Sequence, residues 1–292
     1  SYPVKDIAEI SPEFRTIGLG YANLGALLMR RGTAYDSDEG RNLAAAITAL
    51  MTGVAYATSS EMAQKLEPFT HFEFNKKPML EVMKKHAKNL EDVVWDTVPS
   101  EIKQSAFNIW DKVISMGEEF GYRNAQTTVL APTGTIAYLM DCDTTGVEPS
   151  VALSIQKDLA GGGTLTLINK EVPNALRNLK YTDAEIKDIS EYIKKKNKVL
   201  GAPHLNPDHY SVFATAFGNE KAEGAIPFEG HVRMLGATQP FISGAISKTN
   251  NMPEPATVKD IYEGYRLGHS LGIKAISMFR NNSKPASALN FG

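Results

Sequence analysis

Gln126 to Met140, QTTVLAPTGTIAYLM, reads as strand, turn and helix in one run. QTTVL is rich in β-branched residues and suits a short buried strand. In the turn that follows, Pro132 lacks an amide hydrogen and stiffens the entry, and Gly134 lets another group approach the backbone closely. IAYLM continues as a helix. The first amides of a helix have no partner within it, and the helix dipole makes that end partly positive. Thr133 and Thr135 place hydroxyls beside those amides, and no Asp or Glu occupies residues 131–140. Ala131, Pro132, Thr133, Gly134 and Thr135 are therefore a candidate cradle for an anion such as phosphate. The other reading is an ordinary strand-to-helix turn with Thr as the N-cap, because Thr and Gly are common turn residues. Local chemistry leaves both open.

Strands and helices alternate outward from this segment, which points to the α/β class. Downstream, Gly244–Thr249 is a strand candidate, Pro253 and Pro255 punctuate a turn, and Thr257 caps a helix carrying Ile261, Tyr265 and Leu271. Gly272 ends that helix and Ile273–Phe279 form the next strand, a βαβ unit with a right-handed parallel crossover as default. Lys248 and Thr249 close its first strand, where α/β proteins place ligands. Lys248 is a candidate contact for an anionic substrate or cofactor; the alternative is a solvated lysine at a strand end.

Thr182 and Glu185 have capping-box spacing for a helix through about Val199, and the AGGG run at Ala160–Gly163 is a turned connector. Upstream, Asp36 and Glu39 have the same box spacing before a helix whose stripe is Leu43, Ile47, Leu50, Met51 and Val54. A further helix carries Ile102, Ala106, Ile109, Val113, Met116 and Phe120 on one face. Ser1–Ile10 reads as a linker or the end of a preceding segment, and both chain ends look cut or processed. No linker splits residues 1–292, which are expected to form one domain.

Composition excludes several classes. The 292 residues are 42% hydrophobic, enough for a sizeable core. Lys+Arg number 31 against 33 Asp+Glu, a net charge of −2 with the signs interspersed, which argues against a nucleic-acid surface. Lys194, Lys195 and Lys196 fall late in a helix and read as a solvated face. The single cysteine, Cys142, permits no disulfide within the chain and fits a reducing cytoplasm. No apolar run approaches the ~20 residues of a membrane span, and no secretory signal opens the chain. His71, His86, His204, His209, His231 and His269 lack zinc-site spacing; His231 reads as packed or capping. Asp141, Asp143 and Glu148 cluster around Cys142 and read as loop acids. Gly18, Gly20 and Gly25 in IGLGYANLG fail the dinucleotide-binding spacing, so close backbone packing is the better reading.

RTIGLGYANLGALL with AYDSDEGR, TTVLAPTGTIAYLMDCDTTGVEP, LAGGGTLTLIN, GAPHL, and GHVRMLGATQPFISGAISKTNNMPEPATVKDIYEGYRLGHSLGIKAISMFR occur in that order. Together they resemble the adenosylcobalamin-dependent (class II) ribonucleotide reductases, over nearly the whole chain. The resemblance implies the second half of a ten-stranded α/β barrel, an incomplete domain whose N-terminal half is supplied in cis or in trans. It implies that Pro132–Thr135 receive the substrate phosphates. It implies adenosylcobalamin as cofactor, a ribonucleotide as substrate, a dimer as one assembly, and replacement of the ribose 2′-hydroxyl by hydrogen through a thiyl radical.

That chemistry needs three thiols, one for the radical and two for the reducing pair, and this chain has one. The family's Asn-Cys-Glu finger-loop motif is absent, and Cys142 in MDCDTTGVEP does not match it, so Cys142 reads as a structural thiol. No catalytic residue is expected in this chain. Three origins fit: a fragment of a longer polypeptide, a split subunit, or a product of intein splicing that leaves Ser1 first. A reading from another class is a non-catalytic nucleotide- or phosphate-binding α/β module.

Overall fold

The computed structural model describes residues 2–158, 164–218, 224–281 and 283. Its helices are α1 (Lys5–Phe14), α2 (Leu24–Arg31), α3 (Asp38–Leu66), α4 (Phe72–Lys88), α5 (Ser100–Phe120), α6 (Gly134–Leu139), α7 (Glu171–Asn178), α8 (Asp183–Lys196), α9 (Phe228–Thr238) and α10 (Val258–Ser270). Its strands are β1 (Ser154–Asp158), β2 (Thr164–Ile168), β3 (Thr249–Met252) and β4 (Ser277–Arg280). The mixture of helix and strand is as expected, but the named sheets are small: an antiparallel pair β1–β2 and a parallel pair β3–β4. The chain forms two compact units, residues 1–20, 42–130 and 236–246 in one, and 21–41, 131–235 and 247–292 in the other.

In the first unit three extended segments lie side by side. Leu19 pairs in parallel with Thr128, and Leu130 with Ile246. The Val129 amide donates to the Leu19 carbonyl, and the Leu130 amide to that of Ala245. QTTVL is thus the middle segment of a narrow parallel ribbon. Glycines make the spacing work: a Cβ on Gly20 would overlap the Val129 carbonyl oxygen, and one on Gly18 would lie 2.8 Å from a Val129 methyl. The glycine run serves close packing.

The helices of this unit depart from the expected stripes in an instructive way. On α5 the buried residues are Ala106, Trp110, Val113 and Gly117, so the stripe is rotated towards Trp110, whose indole N–H donates to the Ala49 carbonyl. On α3 the core side is built from small residues, Ala44, Ala46, Thr48, Ala49 and Thr52. Of the expected stripe only Leu43 is buried; Ile47, Leu50 and Met51 are half-buried and Val54 is exposed. Helical period placed the stripe, but close approach selected Ala and Thr for the crowded face. By length and hydropathy α3 could cross a membrane, yet 67% of its apolar window is buried inside the molecule, as in a core helix. Its N-terminus also corrects the expectation. Ser37, not Asp36, caps it, accepting from the Gly40 amide, while Asp36 pairs with Arg41 at 2.6 Å. Of Ser1–Ile10, expected as a linker or the end of a preceding segment, residues 5–10 belong to α1, which buries no residue and so carries no burial pattern to read.

The second unit is centred on Met29, Leu153, Val172, Leu176, Ile189, Ile193 and Phe213. The Thr182–Glu185 capping box is present and α8 ends at Lys196, with Asn197 left-handed. The βαβ unit is also present: β3 and β4 are parallel, and Thr257 caps α10 in a box with Asp260. Its first strand, however, begins at Thr249, where the expected strand ended. Residues 244–246 are already committed to the Thr128–Leu130 segment. The Ala160–Gly163 connector lies outside the described residues.

Candidate functional site

Leu130 is the last residue of the middle extended segment, and Ala131 and Pro132 follow it on the surface. Thr133 then takes a left-handed backbone, φ 54°, as the N-cap of α6. That conformation is costly for a β-branched residue. Two bonds hold it: the Thr133 carbonyl accepts from the Ala137 amide at 2.8 Å, and its Oγ1 accepts from the Gly146 amide at 2.7 Å. Gly146 itself is left-handed, and a Cβ there would lie 2.6 Å from the Ala131 carbonyl oxygen. The 131–135 turn is therefore backed by the loop that follows α6.

The first three amides of α6, those of Gly134, Thr135 and Ile136, precede the first helical hydrogen bond. Thr133 gives them no side-chain cap. Gly134 and Thr135 are exposed. A Cβ placed on Gly134 meets nothing within 4 Å, and Gly134 does not have the positive φ that would favour glycine. Neither strain nor packing explains glycine there. The open space in front of its Cα is where a ligand would need room.

The backing loop is pinned along its length. Asn23, left-handed at φ 71°, accepts through Oδ1 from the amides of Asp143 and Thr144 at 2.9 and 3.0 Å. Tyr35 donates its hydroxyl to the Val147 carbonyl at 2.7 Å. Gly25 presses on this loop, where a Cβ would lie 2.5 Å from the Glu148 carbonyl oxygen. Glu148 accepts from Lys248 Nζ through Oε2 at 2.6 Å and from the Thr249 amide through Oε1 at 2.9 Å. Lys248 is buried, with its side chain 0% exposed. Its ammonium also reaches His231 Nδ1 at 2.8 Å and the Thr249 carbonyl at 2.9 Å. Burial pulls the Lys248 ammonium below its usual range, against the pull of Glu148. Burial and the neighbouring Lys248 push His231 well below the usual imidazole range, so it is neutral.

Sequence reading singled out Lys248, Thr249 and Glu148 but not their union, nor Asn23 and Tyr35. It also missed a second polar cluster. Glu171, 3% exposed, holds Arg30 through two bonds at 2.6 and 2.7 Å. Asp143 sits beside it, its Oδ2 buried with no donor on it. Lys170 approaches Asp143 at 3.6 Å and Asp141 at 3.0 Å. Burial pushes Asp143 up to about 6, opposed by the Lys170 ammonium and reinforced by the neighbouring Glu171 carboxylate. Cys142, beside them, is a free thiol of intermediate exposure.

The raised Asp143 value sets a pH dependence. The folded chain keeps a proton that the unfolded chain releases near pH 4, so this group's contribution to stability falls as pH rises from about 4 to about 6. Asp143→Asn should raise the melting temperature by a few degrees at pH 8 and by less at pH 5. Thermal unfolding at the two pH values checks this, and a lower melting temperature at pH 8 would count against the raised Asp143 value.

Among the described residues no group of three or more His, Cys, Asp or Glu is arranged to hold a metal ion. A family model described as "Ribonucleotide reductase, barrel domain" matches residues 1–279. The chain is 45% identical over 290 residues to the vitamin B12-dependent ribonucleotide reductase of Rhodopirellula baltica, covering 99% of this chain and 28% of that protein. Identity is 47% to the protein of the same name from Streptomyces coelicolor, with 99% and 30% covered. It is also 47% to that of Streptantibioticus cattleyicolor, with 99% and 48% covered. The chain thus spans between 28 and 48% of the length of these relatives.

Proposed function

Since this chain belongs to the ribonucleotide reductase barrel-domain family, we propose that it is the substrate phosphate-binding part of an adenosylcobalamin-dependent ribonucleotide reductase. In this reading the free amides of Gly134, Thr135 and Ile136 receive the phosphates of a ribonucleotide, with the Thr135 hydroxyl beside them and Thr133 shaping the turn. The observation that carries it is the vacant space at Gly134, at the C-terminal end of a parallel extended segment, where open α/β folds place ligands. The relatives' printed names supply the reaction class and the cobalamin.

Adenosylcobalamin is assigned to the full-length protein, this chain together with the remainder that it does not span. The lone Cys142 likewise assigns the radical and reducing thiols to that remainder. The same reading takes a dimeric assembly and a cytoplasmic setting. The test is deoxyribonucleotide formation by the full-length protein with adenosylcobalamin and a dithiol; absence of product with every ribonucleotide contradicts the reading.

The finer fold reading is that residues 1–292 form the second half of a ten-stranded barrel and pack against an upstream half. The support lies in the first unit. Ile17, Leu19, Ile47, Leu50, Met51, Val54 and Met62 line an open groove of about 540 Å³. Large apolar side chains on an open face beside a strand edge suit a covering partner. The upstream part of the barrel, added in trans, should bind and raise the melting temperature. A melting temperature unmoved by saturating upstream segment counts against the half-barrel.

A further inference from the structure

We propose that Lys248 is a positioning residue for the phosphate cradle: from its buried seat between Glu148 and His231 it fixes residues 146–149, and through Gly146 it sets Thr133 and the first turn of α6. The inference rests on the cradle reading above and adds to it a residue that does not touch the ligand.

Lys248 cannot bind a substrate directly in this arrangement. An ammonium has three donors. They are taken by Glu148 Oε2, His231 Nδ1 and the Thr249 carbonyl, at 2.6, 2.8 and 2.9 Å. The side chain is also fully enclosed. What it does hold is Glu148. One carboxylate oxygen takes the Lys248 ammonium and the other takes the next backbone amide, that of Thr249. Glu148 is thereby locked in position and orientation against the start of β3. Because His231 Nδ1 accepts from Lys248, its proton sits on Nε2 and the ring stays neutral.

Two residues before Glu148 lies Gly146, whose amide is the bond on Thr133 Oγ1. Thr133 is held at φ 54° by its surroundings. A slackened 146–149 segment would release that bond, let Thr133 relax to an ordinary N-cap backbone and turn the free amides of α6. A buried ion pair is a poor device for stability, since an apolar side chain of similar volume often serves as well. Its advantage is direction, which a cradle for phosphate oxygens requires. Tyr35 acts on the same segment independently: its ring lies 6.0 Å from Lys248 Nζ and its hydroxyl donates to the Val147 carbonyl.

The test uses the full-length protein with cytidine diphosphate and cytidine as paired probes, in the variants Lys248→Met, Tyr35→Phe and Gly134→Val. Lys248→Met should weaken the diphosphate about tenfold and leave cytidine within about twofold, since only the phosphate end is misaimed. Tyr35→Phe removes one hydrogen bond without a change of charge and should show the same signature at about threefold. It keeps the test alive if Lys248→Met fails to fold. Equal weakening of both probes means general loosening and overturns the positioning role. Unchanged diphosphate binding in Lys248→Met and Tyr35→Phe, with weakening in Gly134→Val, overturns the positioning role alone. Unchanged binding in all three overturns the cradle with it.

Discussion

The isolated chain of residues 1–292 is expected to form no deoxyribonucleotide from any of the four ribonucleotides, with adenosylcobalamin and a dithiol present. The reasoning is a count of groups. Removing the 2′-hydroxyl by a thiyl radical takes one thiol for the radical and a pair for the electrons, and the chain holds only Cys142. Cys142 stands beside the Asp143–Glu171 pair, and its amide is tied to the Ala137 carbonyl at 2.9 Å. Nothing in that arrangement offers it a second sulfur. The effect is a total loss and not a reduced rate. Assay of the isolated chain beside the full-length protein decides the matter, and turnover above the no-protein blank would mean that the thiol chemistry has been misassigned.

The second large effect is expected at Gly134. In most turns a glycine-to-valine change confounds folding with binding, because the new side chain clashes or the backbone is left-handed. Here a Cβ meets nothing within 4 Å and φ is not in the left-handed region. The fold should therefore accept valine with a change in melting temperature of no more than a few degrees. The ligand should not, because its phosphate must reach amides that the branched side chain would screen. An increase of tenfold or more in the nucleotide dissociation constant corresponds to at least about 1.4 kcal/mol. Calorimetric titration of full-length wild type and Gly134→Val, with thermal unfolding of each, separates the two effects. Unchanged affinity would place the phosphates elsewhere, and a collapsed melting temperature would contradict the open space.

Local signals in the sequence were legible. QTTVL followed by APTGT gave an extended segment, a turn and a helix start, and Thr182 with Glu185 announced a real capping box. The βαβ unit was legible as an order of elements but not in register. Ile246 belongs beside Leu130 and Thr249 beside Ser277, a division of labour set by pairing between distant segments. On α3 the period was right and the face was wrong, because size complementarity put Ala and Thr against the core and left Ile47, Leu50 and Val54 on the groove side. The Lys248 cluster was out of reach for a related reason. Glu148 lies 100 residues away and His231 17 residues away, so no spacing rule joins them. Asn23 offered only the hint of an asparagine before a helix, a residue type that tolerates the left-handed backbone.

The central claim is that residues 131–135 of this chain bind the phosphates of a nucleotide. The most direct measurement is titration of the full-length protein with a ribonucleotide and with its parent nucleoside under one set of conditions. The account predicts that the nucleotide binds far more tightly, and that Gly134→Val removes most of the difference by weakening the nucleotide alone. Equal affinities for the two ligands in the wild-type protein, or a difference that Gly134→Val leaves intact, would contradict it.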